Sequence, residues 1–345
     1  MTAVGVFIYS RILPQQFSFQ LGLKFLSTSN LLTIQGGFWR LLLIVFLYLA
    51  ACLLPFAGLL FLMTLPALMF LLSIANGWAK TMNAFFAAVA VIFVILSLTH
   101  TFSPLLAPAV AGLAGIVMAR SAKPATSIET VIFLPSLVCL AAIAAFFVLS
   151  GIELSMNPVQ AVKKYLGEAV DLNIGLYSRL PLKPEEIKAI QDSKGAIIEL
   201  FLRIFPAICI VSVLSVIWIN ILLAGKILQK YAIELAAFSE LSEWKTPAWL
   251  IWVFIAAGGM IALPHTFVRF AGVNFFLVTA FLYLLQGLAI VSFFFQSRNI
   301  SMFFRIIVYF LIALQQLLMI AVATVGLFDL WFDFRKYFRK DHATD

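Results

Sequence analysis

The amide and imidazole side chains that interrupt the apolar stretches are the first place to look for chemistry: His100, Asn220, His265, Asn274, Gln286, Gln315 and Gln316. A polar group in hydrocarbon costs free energy, so such residues mark ion paths, ligand contacts or bonds between helices. None of this set is acidic. No basic residue lies deep either, since Arg203 sits within a turn or two of its predicted helix start and can snorkel. The mid-membrane carboxylate usual in proton- or cation-coupled transport is therefore missing from the set. Amides suit either hydrogen bonds between helices or a few contacts to a neutral ligand. In the second reading Asn220, Asn274 and Gln286 orient that ligand.

Other chemistries find little support. His100, His265 and His342 are isolated from one another and from any Cys or carboxylate at ligand spacing, so no metal site is expected. Cys52, Cys139 and Cys209 fall far apart inside apolar segments and read as small hydrophobes. No serine stands in a nucleophile-elbow context and no Gly-rich phosphate loop is present. The expectation is a protein that is not an enzyme and needs no cofactor.

The elements that position these residues are set by composition. Apolar residues make up 63% of the chain and charged residues 11%, in long alternating blocks that only lipid can solvate. Residues 41–75, 84–119, 128–150, 204–225, 247–264, 271–295 and 306–328 read as membrane segments. The two longest are helix pairs, broken at Pro55 and Gly58 and again near Thr99–Thr101. The spacing predicts an all-α, polytopic transmembrane bundle of about nine spanning helices, or eight if an early short segment is re-entrant. The net charge of +8 resides largely in residues at segment mouths, among them Arg40, Lys80, Arg120, Lys123, Lys226, Lys245, Arg298 and Arg305. That pattern fits positive-inside orientation and anionic lipid, and it excludes a nucleic-acid partner.

Residues 1–37 form an N-terminal extension at the surface or poorly ordered, with a period of two over Phe17–Phe25 that a lone strand could not sustain in lipid. Residues 38–336 read as one transmembrane domain, and 337–345 as a polar tail. Within the domain, 152–199 is an amphipathic helical insert. Asn157-Pro158 starts its first helix, with Val159, Val162, Leu166, Val170 and Ile174 on one face. Pro184-Glu185-Glu186 starts the second.

Two further patterns concern contacts. Ala107, Ala111, Gly115 and Ala119 put small residues on one helix face, for close helix packing or for docking a membrane protein partner or a second copy. Trp244 with Lys245, and Trp331, Phe332, Asp333, Arg335 and Lys336, read as interfacial anchors, with Asp333 and Lys336 spaced to pair.

The C-terminal run Gly326–Lys336, together with Trp244–Trp252 and Asn274–Gly287, resembles the YybS-like bacterial membrane proteins, domain-of-unknown-function family 2232. The resemblance covers about residue 40 to Lys336 and is most distinctive at Gln286-Gly287 and Phe328–Arg335. It implies a bacterial inner (cytoplasmic) membrane location and supplies no established activity. The N-terminal half of such proteins is similar in layout to the substrate-binding subunits of energy-coupling-factor transporters. That similarity implies a small-molecule ligand near the outer face and docking through the Ala107–Ala119 stripe.

The leading expectation is a protein that binds or helps to move a small neutral or amphipathic molecule beneath the 152–199 insert. The rival is a scaffold or assembly factor without such a ligand.

Overall fold

The computed structural model describes residues 37–54, 57–98, 105–122, 126–178, 184–230 and 241–340. The readings for residues 1–36, the breaks at Pro55 and Thr99–Thr101, and His100 and His342 lie outside them. The described residues form thirteen helices and no strand. In chain order these are α1 Gly37–Leu53, α2 Ala57–Asn76, α3 Trp78–Ser97, α4 Leu106–Ser121, α5 Ile128–Glu153, α6 Pro158–Tyr177, α7 Pro184–Asp192, α8 Lys194–Lys230, α9 Leu250–Ala262, α10 Thr266–Ser297, α11 Met302–Leu314, α12 Gln316–Phe332 and α13 Phe334–Lys340.

Five helices, α2, α3, α5, α8 and α10, are long and apolar enough to cross a membrane, and α11 with α12 makes a sixth if the pair counts as one span. That pair bends by 103° at Gln315, so the expected single segment 306–328 is two helices. Gln315 and Gln316 are exposed at the bend and do not sit between helices. The chain sorts into two compact units, one from Met1–Ala145 with Ser212–Ser239, the other from Phe146–Val211 with Glu240–Asp345.

In the first unit α1 to α4 share a core of Ile44, Tyr48, Leu65, Met69, Phe85, Ile92 and Ile116. The predicted small-residue face of α4 is partly used here. A Cβ at Gly115 would lie 2.3 Å from the Pro66 carbonyl oxygen of α2, which only a bare backbone tolerates. Ala107 at the other end of the stripe is exposed, and Ala111 and Ala119 are half-buried. One turn away, the Tyr48 hydroxyl occupies the space where a Gly112 side chain would begin. It is buried and has no hydrogen-bond partner among the described residues. Arg120 closes the end of α4 by stacking 4.5 Å over Trp78 of α3.

In the second unit, Asn157 caps the start of α6, as the sequence predicts, and Gln160 makes the cap reciprocal by accepting from the Asn157 N–H. Val162 and Ile174 are buried and Leu166 and Val170 half-buried, but Val159 points outward at 61% exposure. The predicted face thus begins one turn late, because Val159 still belongs to the capped turn. The insert does not end at 199. Residue 194 opens α8, a helix of 37 residues, about 56 Å long at 1.5 Å per residue. Its first turns pair with α6 through Lys163–Glu199 at 2.6 Å and Lys194–Asp171 at 2.5 Å. Arg203 is therefore well inside a helix, and its guanidinium lies 4.8 Å over the Phe270 ring.

Helices α9 and α10 form an antiparallel hairpin, with Gly272 against the Ala257 carbonyl and the Phe254 and Phe276 rings stacked at 4.7 Å. Helix α12 then runs antiparallel to α10 on backbone contact. A Cβ at Gly287 would be 2.0 Å from the Val322 oxygen, and one at Gly326 would be 2.0 Å from the Tyr283 oxygen.

Candidate functional site

Among the described residues, three constellations bring amide or charged side chains into packed contacts between helices, and two share a design. Pro66 interrupts α2, since proline has no N–H for the helical ladder and its ring crowds the preceding turn. The ladder would next pair the Ala67 N–H with the Met63 carbonyl. Instead Asn220 of α8, fully buried, inserts its carboxamide between them. The Ala67 N–H donates to Asn220 Oδ1 at 2.8 Å, and Asn220 Nδ2 donates to the Met63 oxygen at 2.8 Å. The second Nδ2 proton goes to the Val216 carbonyl one turn back, at 2.7 Å.

The same arrangement recurs where Pro206 interrupts α8. The Ala207 N–H donates to Asn274 Oδ1 at 2.8 Å, and Asn274 Nδ2 donates to the Arg203 and Phe270 carbonyls, each at 2.8 Å. Both asparagines thus repair a proline break with one acceptor and two donors. A third proline, Pro135, lies inside α5, where the next residue, Ser136, is buried with its hydroxyl unpartnered among the described residues.

The third constellation is charged. Gln286 Oε1 accepts from the Thr246 hydroxyl at 2.5 Å and the Thr246 N–H at 3.1 Å. Its Nε2 donates to Asp329 Oδ2 at 3.1 Å. The same oxygen accepts from Arg335 Nη1 at 2.6 Å, while Asp329 Oδ1 accepts from the Phe334 N–H at 2.9 Å. Arg335 spends its other nitrogens on carbonyls, Nε on Ser242 at 3.0 Å and Nη2 on Trp244 at 2.9 Å. Gln286, Asp329 and Arg335 are each no more than 2% exposed. A buried carboxylate and guanidinium persist only when both are multiply hydrogen-bonded, and here they are.

Local structure explains the assembly. The Gly287–Gly326 crossing brings α10 and α12 close enough for Gln286 to reach Asp329. Asp333, at φ 44° and ψ 63°, ends α12 in the left-handed conformation and turns Arg335 back toward Asp329. Outside this centre Lys245 pairs with Asp333 at 2.8 Å, half-exposed.

The structure therefore brings Gln286, Asp333 and Arg335 of the predicted residues to one place, with Trp244 contributing its backbone. Asn220 and Asn274 lie elsewhere, each in its own packed contact. Trp331, Phe332 and Lys336 are exposed around α12 and α13, whereas Arg335, read in sequence as an anchor with them, is buried. Asp329 was missed altogether. An acidic residue inside an apolar run is a signal, but its partner six residues on is not at helical spacing.

Among the described residues no three His, Cys, Asp or Glu side chains gather as metal ligands. Cys52, Cys139 and Cys209 are half-buried thiols on α1, α5 and α8.

Gln286-Gly287 and Phe328–Arg335, on which the sequence resemblance is placed, meet at the charged centre together with the Ser242–Thr246 segment. No curated protein and no solved structure matches the chain. The family of predicted membrane proteins designated DUF2232 matches residues 42–330, and the chain belongs to that family.

Proposed function

We propose that this chain is a non-enzymatic scaffold of the bacterial inner membrane, acting through contacts with other membrane components. One observation carries the reading: the amides best suited to hold a neutral ligand are engaged by the protein's own backbone and side chains. Asn220 and Asn274 each make three such bonds, and Gln286 joins Thr246 to Asp329. A ligand would have to displace bonds whose loss leaves buried groups unpaired, at about 1–3 kcal/mol each. The partner surfaces in this reading are the exposed end of the α4 stripe at Ala107 and the exposed Trp331, Phe332, Lys336 and Tyr337 of α12 and α13.

The number of crossings in this reading is nine. Six come from the helices long enough to span, counting the bent pair once, and three from the shorter apolar helices Leu41–Leu53, Leu106–Ser121 and Leu250–Ala262.

The test is native mass spectrometry of the protein extracted from its own membranes in mild detergent. The scaffold reading expects a stoichiometric protein partner that Tyr337→Ala releases without lowering the unfolding temperature. A bound mass of a few hundred daltons that survives delipidation, and is lost in Asn220→Leu or Asn274→Leu, would overturn it. Substitution is preferable to truncation after Phe334, which would remove Arg335 and leave Asp329 buried without its cation.

A further inference from the structure

We infer that α11 lies in the plane of the bilayer, just beneath the headgroups of one leaflet, and that α12 alone carries the chain into the hydrocarbon. Helix α10, at 32 residues, is long enough to cross, and α12 lies antiparallel along it through the Gly287–Val322 and Gly326–Tyr283 contacts. Helix α11 meets α12 at 103°, so it is nearly perpendicular to that pair. It crosses the end of α10. Arg305 Nη2 donates to the Phe295 carbonyl at 3.0 Å, and the Tyr309 ring stands 5.7 Å from the Phe295 ring.

Polarity along α11 has the same orientation. Arg298 and Asn299 are exposed before it, and Gln315 and Gln316 are exposed after it. The antiparallel register sets both polar ends at the same end of the α10–α12 pair. Between them the outward surface is apolar: Phe303 is 69% exposed, Phe304 60%, Phe310 61% and Leu314 66%. The helix's own cation, Arg305, is turned inward onto the Ile300 and Phe295 carbonyls.

Water would not cover four large exposed hydrophobes side by side. The hydrocarbon core would not satisfy the Gln315 and Gln316 amides or the N–H groups of the first turn of α12, which has no side-chain cap. The boundary between headgroups and acyl chains does both: it hydrates the two polar ends and keeps the apolar body of α11 against acyl chains.

Depth measurement tests this on the full chain in vesicles of phosphatidylethanolamine and phosphatidylglycerol. Nitroxides are placed one at a time at Phe303→Cys, Phe310→Cys, Leu314→Cys, Leu317→Cys and Ile320→Cys, with Cys52, Cys139 and Cys209 replaced by serine. Relaxation by oxygen against an aqueous nickel chelate should give 303, 310 and 314 one shared shallow depth. Positions 317 and 320 should then deepen by about 1.5 Å per residue. A steady change of depth from 303 through 314, as in the first half of a continuous span, would overturn the inference. So would a label at 310 shielded from both relaxers, which would assign the face to a protein partner. Gln315→Leu with Gln316→Leu should sink the label at 314, and an unchanged depth there would count against headgroup anchoring.

Discussion

The asparagine repairs and the charged centre solve one problem in different ways. At Pro66 and Pro206 the buried groups are neutral backbone, and a single carboxamide from one other helix closes each gap. At Asp329 and Arg335 the buried groups are charged, and closure draws on Gln286, the Phe334 N–H and the Ser242 and Trp244 carbonyls. Desolvation accounts for the difference. An amide group is cheap enough to bury that one partner suffices, while an ion needs several. The first design tolerates loss of a member better than the second.

Breaking the charged centre should have the largest effect. Arg335→Leu leaves Asp329 buried beside Gln286 and should cost about 3–5 kcal/mol, read as a fall in thermal midpoint in detergent. The double variant Asp329→Leu with Arg335→Leu should lose less than Arg335→Leu alone, since both charges are gone. A larger loss in the double variant would mean that Asp329, held by Gln286 and the Phe334 N–H, stabilises the fold even without its cation.

The glycine crossing that delivers Gln286 to Asp329 comes next. Gly287→Ala would drive a methyl against the Val322 oxygen and should cost about 1–3 kcal/mol through separation of the helices. A neutral result would show that α10 and α12 can part without losing the centre.

The asparagine repairs should be weaker. Asn220→Leu should cost about 2 kcal/mol, and Asn274→Leu less, because Asn220 is fully buried and Asn274 only half-buried. Pro66→Ala restores the missing N–H and lets Ala67 bond to Met63 again. In that background the Asn220→Leu cost should shrink by roughly 1 kcal/mol in a double-mutant cycle. Additive costs would show that Asn220 does not act through the proline break. The smallest effect belongs to the half-exposed Lys245–Asp333 pair, where Lys245→Ala should cost less than about 1 kcal/mol and vanish at high salt.

Much of the helical layout was legible from residue order, because lipid imposes long apolar runs and prolines break them. The capped start of α6 at Asn157 and the splitting of 41–75 and 84–119 into helix pairs follow from local signals. Asn220 and Asn274 were visible as polar residues among apolar ones, and bonding between helices was one of their two readings. What they bond to was not visible, because a repaired proline break depends on which helices meet. Asp329 and Arg335 were harder still. Their meeting depends on a non-glycine residue, Asp333, in the left-handed region, and no pattern in sequence announces that. The same turn hid the burial of Arg335, which local context reads as a surface anchor. The elbow at Gln315 was concealed by continuous hydrophobicity on both sides.

The bond from Arg335 to Ser242 joins residues 93 positions apart. At about 5–20 residues per second, a ribosome needs roughly 5–20 s to make the second after the first. Through that interval the Ser242 carbonyl waits for Arg335, and the Trp244 carbonyl and Thr246 join it almost at once, while Gln286 enters the chain about halfway through and Asp329 just before the end. The α9–α10 hairpin therefore enters the membrane ahead of its own fastening. A stalled or slowed nascent chain would leave this junction open to quality-control proteases for longer.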